Sequence, residues 1–232
     1  MPFKKILMVL SLCLIVGLAA CSGSSTKEKI YDHLEKAVTL EDAFEKQQDT
    51  IVDLEKKEQE LYGKIIDLGM DDFDKIKDLS QQAIETIEKR SNKVDVEKES
   101  ITASKEEFMK IEDLIDELED KDIKDKAKKM YDVMMKRYQA YDSLNKAYTT
   151  SLKLEKELYT MLQKEDIEQE ALTEHITKIN DSYQEVLEAN KAFNTHTTKY
   201  NKLKQEFYKA ADIEVEYEDG KSADKKNSNK NQ

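Results

Sequence analysis

"LTEHITKINDSYQEVLEANKAFNTHTTKYNKLKQEF", residues 172–207, sets Leu172, Ile179, Val186, Phe193, Tyr200 and Phe207 at intervals of seven among largely polar neighbours. A seven-residue apolar repeat of that length draws one narrow stripe along an α-helix, and such a helix cannot bury its stripe alone. It needs partners of similar length, and the preceding sequence offers three. Phe73, Ser80, Ile87, Val94, Ile101, Phe108 and Ile115 keep the same period. Another stripe runs through Ile123, Met130, Met134, Tyr141, Leu144, Tyr148, Leu158 and Leu162, flanked by Tyr131, Tyr138 and Tyr159. The first begins at Ile30 and continues through Ala37, Phe44, Ile51 and Ile65, with Leu40, Leu54, Leu61 and Leu68 beside it and His33, Gln47 and Glu58 interrupting.

Local signals place the boundaries. Gly69 is expected to stop the first helix in a left-handed conformation, and Asp71 or Asp72 to cap the second. Asp122 is expected to cap the third, and Asp166 with Gln169 to form a capping box on the fourth. Thr39 with Asp42 permits a break near Val38. Ser91–Ser104 holds weak helix formers and sets Arg90, Glu97 and Ser104 beside the seam, which leaves local kinking open there, while the regular repeat argues against a full break. The short connections favour antiparallel neighbours. The fold class is therefore all-α: an elongated antiparallel bundle of about four long coiled-coil-like helices over residues 28–211, each spanning about 60 Å. The alternative is a three-helix bundle with a separate N-terminal helix. The polar seam residues Glu58 and Arg90 are open to pairing within one chain or between two.

The ends read differently. Lys4 and Lys5 precede an apolar run from Ile6 to Leu18, too short to cross a bilayer and laid out as an export signal over residues 1–20. Leu18, Ala19, Ala20 and Cys21 resemble the lipobox of bacterial lipoproteins, in which the cysteine thiol takes a diacylglyceryl group and starts the mature chain. Cys13 leaves with the signal, so Cys21 is the one mature thiol and has no disulfide partner. A thioether-linked lipid with a further acyl chain such as palmitate gives it a use, since two or more chains anchor a protein durably. Residues 21–27 form the lipidated tether. Beyond Ala211 the helical stripe is lost, and residues 212–232 read as a disordered, lysine-rich tail.

The chain carries 38 basic and 50 acidic residues; removing Lys4 and Lys5 with the signal leaves 36 against 50, a net −14. So acidic a surface excludes nucleic acid as a partner and repels wall-linked phosphate polymers as a bulk field. The histidines His33, His175 and His196 lack zinc-motif spacing, and no Gly-rich phosphate loop or nucleophile elbow is present. No metal, cofactor, catalytic or cofactor-binding residue is nominated, and no enzyme activity is expected. Tyr141, Tyr148, Tyr200, Met130, Met134 and Met135 read as packing residues.

The segments "YDHLEKAVTLEDAFEKQQ" (31–48) and "LEKKEQELYGKIIDLGMDDFDKI" (54–76) resemble the YkyA-like cell-wall-binding lipoproteins of Gram-positive bacteria. The resemblance implies a helical protein on the extracytoplasmic face of the cell membrane, held by lipid on Cys21. The expected function is non-enzymatic: binding the cell wall, with peptidoglycan as a partner, or a structural role in the envelope. The rival expectation is an adaptor that holds an envelope protein through a helical face.

Overall fold

A computed structural model describes residues 25–215. Four helical arms run up and down: α1 (Thr26–Leu40) with α2 (Asp42–Ile66); α3 (Phe73–Met109) with the short α4 (Ile111–Asp116); α5 (Lys121–Met161); and α6 (Gln169–Ala210). No strand occurs among the described residues. At 1.5 Å per residue the longest arms extend about 60 Å.

α1 starts earlier than the tether reading allowed. Ser25 is its N-cap: its Oγ accepts the Glu28 N–H at 3.3 Å, and its own N–H donates to Glu28 Oε2 at 2.7 Å. This capping box, legible as Ser-x-x-Glu, moves the folded part forward into the expected tether. The separate-helix alternative fails because Ile30, Tyr31, Leu34 and Ala37 of α1 lie in the same core as α3, α5 and α6.

The first arm breaks at Glu41, three residues beyond the expected site. Glu41 stays in the right-handed region (φ −85°, ψ −2°), so the arm bends and continues. Ser100 on α3 serves the bend from across the interface: its Oγ donates to the Leu40 carbonyl at 2.6 Å and accepts the Phe44 N–H at 3.1 Å. The second arm keeps its helix through Ser91–Ser104, as the regular repeat requires. α3 is continuous there and breaks at Lys110; Arg90, Glu97, Ser100 and Ser104 are buried and paired with other arms, which outweighs the low propensity of the serines.

Two expected caps are corrected, and a third holds its position without a side-chain bond. Asp120, not Asp122, caps α5 and accepts the Ile123 N–H at 3.0 Å. α6 follows Glu168 with no side-chain cap, so the Asp166–Gln169 box does not form. Asp72 occupies the N-cap of α3 without a side-chain bond, preceded by a 3₁₀ turn at Met70–Asp72. Gly69 is not left-handed; no glycine among the described residues has positive φ, and the arm closes on Asp67 in the right-handed region. The left-handed residue is Asp212 (φ 56°), after which the Ile213 N–H returns to the Tyr208 carbonyl at 3.0 Å. Ile213 and Val215 then pack against the core, so ordered packing passes the expected boundary at Ala211. The rest of the expected tail lies outside the described residues.

Two apolar clusters divide the rod. The proximal one, at the end bearing Ser25, Leu118 and Ala211, draws on every arm and includes Phe44, Phe108, Tyr138, Tyr141, Phe193 and Phe207. The distal one, toward the turns at residues 67–72 and 162–168, comprises residues of α2, α3 and α5, among them Ile51, Ile65, Ile84, Val94, Leu152 and Tyr159. No α6 residue belongs to it.

Candidate functional site

Leu18, Ala19, Ala20 and Cys21, the residues nominated for lipid attachment, lie outside the described residues. The chemistry the structure does describe is concentrated in polar layers inside the bundle. The chain has two arginines, Arg90 and Arg137, and both are buried at the centre of such a layer.

In the proximal layer, Arg137 of α5 grips Glu41 with both ends of its guanidinium, Nη1 to Oε1 at 2.7 Å and Nη2 to Oε2 at 2.6 Å. Its Nε donates to Thr197 Oγ1 on α6 at 2.9 Å, and its Cζ lies over the Phe193 ring, 4.6 Å from the centroid. Ser104 on α3 donates to Glu41 Oε1 at 2.9 Å and meets the Tyr138 hydroxyl at 2.9 Å. One cation and one anion are thus matched at the bend of the first arm, with every arm represented. A planar fork suits this bidentate, stacked geometry as a lysine would not.

The distal layer is unbalanced. Arg90 of α3 reaches Glu58 of α2 at 2.8 Å and forms a short ion pair with Glu155 of α5, beneath the Tyr148 ring at 5.5 Å. Tyr148 donates to Glu55 Oε1 at 2.6 Å. Burial, then repulsion from Glu155, pushes the Glu58 carboxyl up to about 8 against the pull of Arg90. Burial also raises Glu155, although Arg90 opposes the shift. Burial thus favours the protonated form of the two carboxyls that face one guanidinium. Glu97, buried and paired with Gln48, is likewise pushed up to about 8 by burial. The pairing of Glu58 with Arg90, left open between one chain and two, is intramolecular.

Two further polar groups tie the first arm down near its start. Glu107 of α3 accepts from Lys110 at 2.7 Å and sits 2.7 Å from His33 Nδ1; the Lys110 bond, with help from His33 and Lys36, holds its carboxyl down at about 2 against desolvation. Glu35 takes the Tyr208 hydroxyl at 2.5 Å and Lys204 at 3.2 Å from α6. The tyrosines and methionines read as packing residues are placed accordingly: Tyr141, Tyr200, Met130 and Met134 are buried, and Met135 and Tyr148 pack partly buried.

At the far end, an open groove of about 490 Å³ runs between the end of α5 and the start of α6. Lys153, Lys156, Lys164 and His175 line it with Glu157 as the acidic member. His175 Nε2 donates to the Leu154 carbonyl at 2.7 Å, which fixes that ring edge inward. Among the described residues no group of three or more His, Cys, Asp or Glu side chains is arranged to hold a metal ion.

Residues 25–210 match the YkyA family, described as "Putative cell-wall binding lipoprotein". The chain belongs to this family. It is 36% identical over 198 residues to "Uncharacterized lipoprotein YkyA" of Bacillus subtilis (strain 168), a match spanning 85% of this chain and 89% of that protein. The structure also resembles a crystal structure of a conserved Staphylococcus aureus protein of unknown function, with a TM-score of 0.70 and 20% identity, over 82% of this chain and 98% of that one. This second likeness shows the fold. The family expected from residues 31–48 and 54–76 is thereby the family found.

Arg90 is legible in the sequence as a polar seam residue; Arg137, Glu41 and Glu155 are not placed by the repeat. A signal was present: in a chain whose other basic side chains are lysines, an arginine marks a place where a flexible point charge does not serve. Glu41 and Glu155 carry no comparable mark among 50 acidic residues.

Proposed function

We propose that this protein is a non-enzymatic envelope rod, exported, anchored through diacylglyceryl-modified Cys21, and reaching from the outer face of the cytoplasmic membrane to the cell wall. The observation that carries the reading is the opposition of its two ends. Ser25, four residues after Cys21, starts the proximal end, while the lysine-lined groove lies about 60 Å away at the distal end. Of the three lysines along that groove, Lys156 pairs with Glu88 at 2.7 Å and Lys153 with Glu157 at 3.8 Å, which leaves a small local basic excess, on a chain of net charge −12, suited to anionic groups that the rest of the surface repels. The phosphate or carboxylate groups of a wall polymer have that chemistry. The buried charges support a structural role, since Arg90 and Arg137 are committed to glutamates of their own chain.

The test is retention of the protein on purified peptidoglycan with and without attached teichoic acid at physiological salt. Retention should fall when Lys156 and Lys164 are both changed to Glu, and should weaken as salt rises. Absence of retention on both materials overturns wall contact; crosslinking in intact cells that recovers one dominant protein and no glycan would replace it with the adaptor reading. A Cys21→Ser variant tests the anchor, which requires its loss from the membrane fraction.

A further inference from the structure

α6 is one continuous helix but is held in two ways. From Phe193 onward it buries Phe193, Tyr200, Lys204, Phe207 and Tyr208 among the other arms. Over residues 169–190 its buried side chains are His175, Ile179 and Ser182. Ser182 spends its hydroxyl on the Ile179 carbonyl of its own helix, so Ile179 is the one large apolar group buried there. Tyr183 and Leu187 stay 41% and 38% exposed. The polar lateral attachment is His175 to the Leu154 carbonyl, and Tyr183 lies beside Glu155.

The junction between the two parts is made of weak helix formers. Asn190, Asn194, Thr195, Thr197 and Thr198 fall within nine residues, and the three threonines return their hydroxyls to carbonyls four residues back, a pattern that loosens and bends helices. Thr197 and Phe193 are fixed by Arg137. The junction is therefore pinned at Phe193 and Thr197, and the lightly packed stretch lies on its distal side. The start of α6 adds no side-chain cap to resist unwinding.

We propose that residues 169–190 act as a strap that leaves α5 as a local unit while the four-arm proximal half stays folded, uncovering Leu154 and the Glu155 edge of the Arg90 layer. The strap is bounded by the 162–168 turn at one end and by the Phe193 and Thr197 anchor at the other. It opens by unwinding between fixed points and not by swinging free.

Hydrogen exchange read by mass spectrometry on the protein purified from membranes in mild detergent tests this. Amides of 172–190 should exchange about a hundredfold faster than those of 200–208. Ile179→Ala should speed the strap about tenfold further and leave 123–141 unchanged. Changing the exposed Thr195 and Thr198 to Ala, which strengthens the junction, should slow the strap about threefold. Protection across 172–190 equal to that across 200–208 overturns the proposal. So does an Ile179→Ala acceleration shared evenly by 123–141 and 200–208.

Discussion

In the proximal half, Phe44, Tyr141 and Phe193 meet at centroid distances of 5.7–6.0 Å across three arms, and beside them one arginine balances one glutamate. In the distal half, the corresponding stretch of α6 supplies no aromatic ring to the core, and one arginine faces two glutamates. The same four arms run through both. What differs is whether the fourth arm closes the bundle with apolar volume, and the contrast shows that a regular heptad repeat specifies a helix without specifying how firmly it is held. Leu172 and Val186 keep the repeat that Phe193 and Phe207 keep, yet they remain partly exposed.

The largest expected effect breaks the balanced layer. Arg137→Ala removes both bonds to Glu41, the bond to Thr197 and the stacking on Phe193, leaving a carboxylate in a largely covered site without its cation. Breaking one partner of such a pair costs about 3–5 kcal/mol, and chemical denaturation should show that loss. A loss below about 1 kcal/mol would mean that the layer is a surface ion pair in its energetics. Arg137→Lys should recover only part of it, since an ammonium cannot grip both oxygens and stack.

Next comes the proton held by the unbalanced layer. Glu58 and Glu97 are raised to about 8 in the folded state, so an unfolding chain releases protons that the folded chain keeps, over a window from the ordinary carboxylate range up to about 8. Their contribution is fully present below that window and is lost as pH rises through it. Glu107 has the opposite sign: held at about 2, it favours the fold above the ordinary carboxylate range and loses that benefit as pH falls toward 2. Thermal midpoints should therefore climb on going from about pH 8 to about pH 5 and decline in stronger acid. Glu58→Gln mimics the protonated side chain. It should raise stability by roughly 2 kcal/mol near pH 8 and change it little near pH 5. An effect of equal size at both values would detach the distal layer from the pH response.

Much of this architecture is visible before any coordinates. The stripes ending in Ile115 and Phe207 give the arms, and the short gaps between them give antiparallel order. The errors are local and share a cause. Gly69, Asp122 and Asp166 are good turn and cap residues by type, but Asp67 and Asp120 serve in place of the first two and α6 starts after Glu168 with no side-chain cap, so type alone could not select the boundary. The Ser91–Ser104 stretch stays helical, as its regular repeat requires, and propensity alone does not decide it because Glu97, Ser100 and Ser104 each find a partner on another arm. Glu155 could not be singled out because its partner, Arg90, is 65 residues away in sequence.

The bend of the first arm offers a smaller effect. Ser100→Ala leaves the Leu40 carbonyl and the Phe44 N–H without the hydroxyl that serves both, inside the proximal half. A loss of about 1–3 kcal/mol is expected by denaturation. Ser182→Ala in the distal half breaks only a bond within α6 and should stay within about 0.5 kcal/mol. If the two serines cost the same, the distinction between shared and self-contained polar groups does not govern this rod.

The smallest effect has the opposite direction. Gly63 lies inside α2 with helical backbone, and a Cβ built there meets nothing within 4 Å. Gly63→Ala removes unfolded-state freedom without a steric cost, so it should stabilise the protein by about 0.5–1 kcal/mol. Gly69, at the adjoining turn, has the same open space and no positive φ, and its alanine variant should gain a few tenths of that or be neutral. Had Gly69 been the left-handed stop that its position suggests, alanine would cost about 1 kcal/mol instead. A thermal melt of the pair separates the two descriptions of this turn: with Gly69 right-handed, neither variant melts lower than the parent.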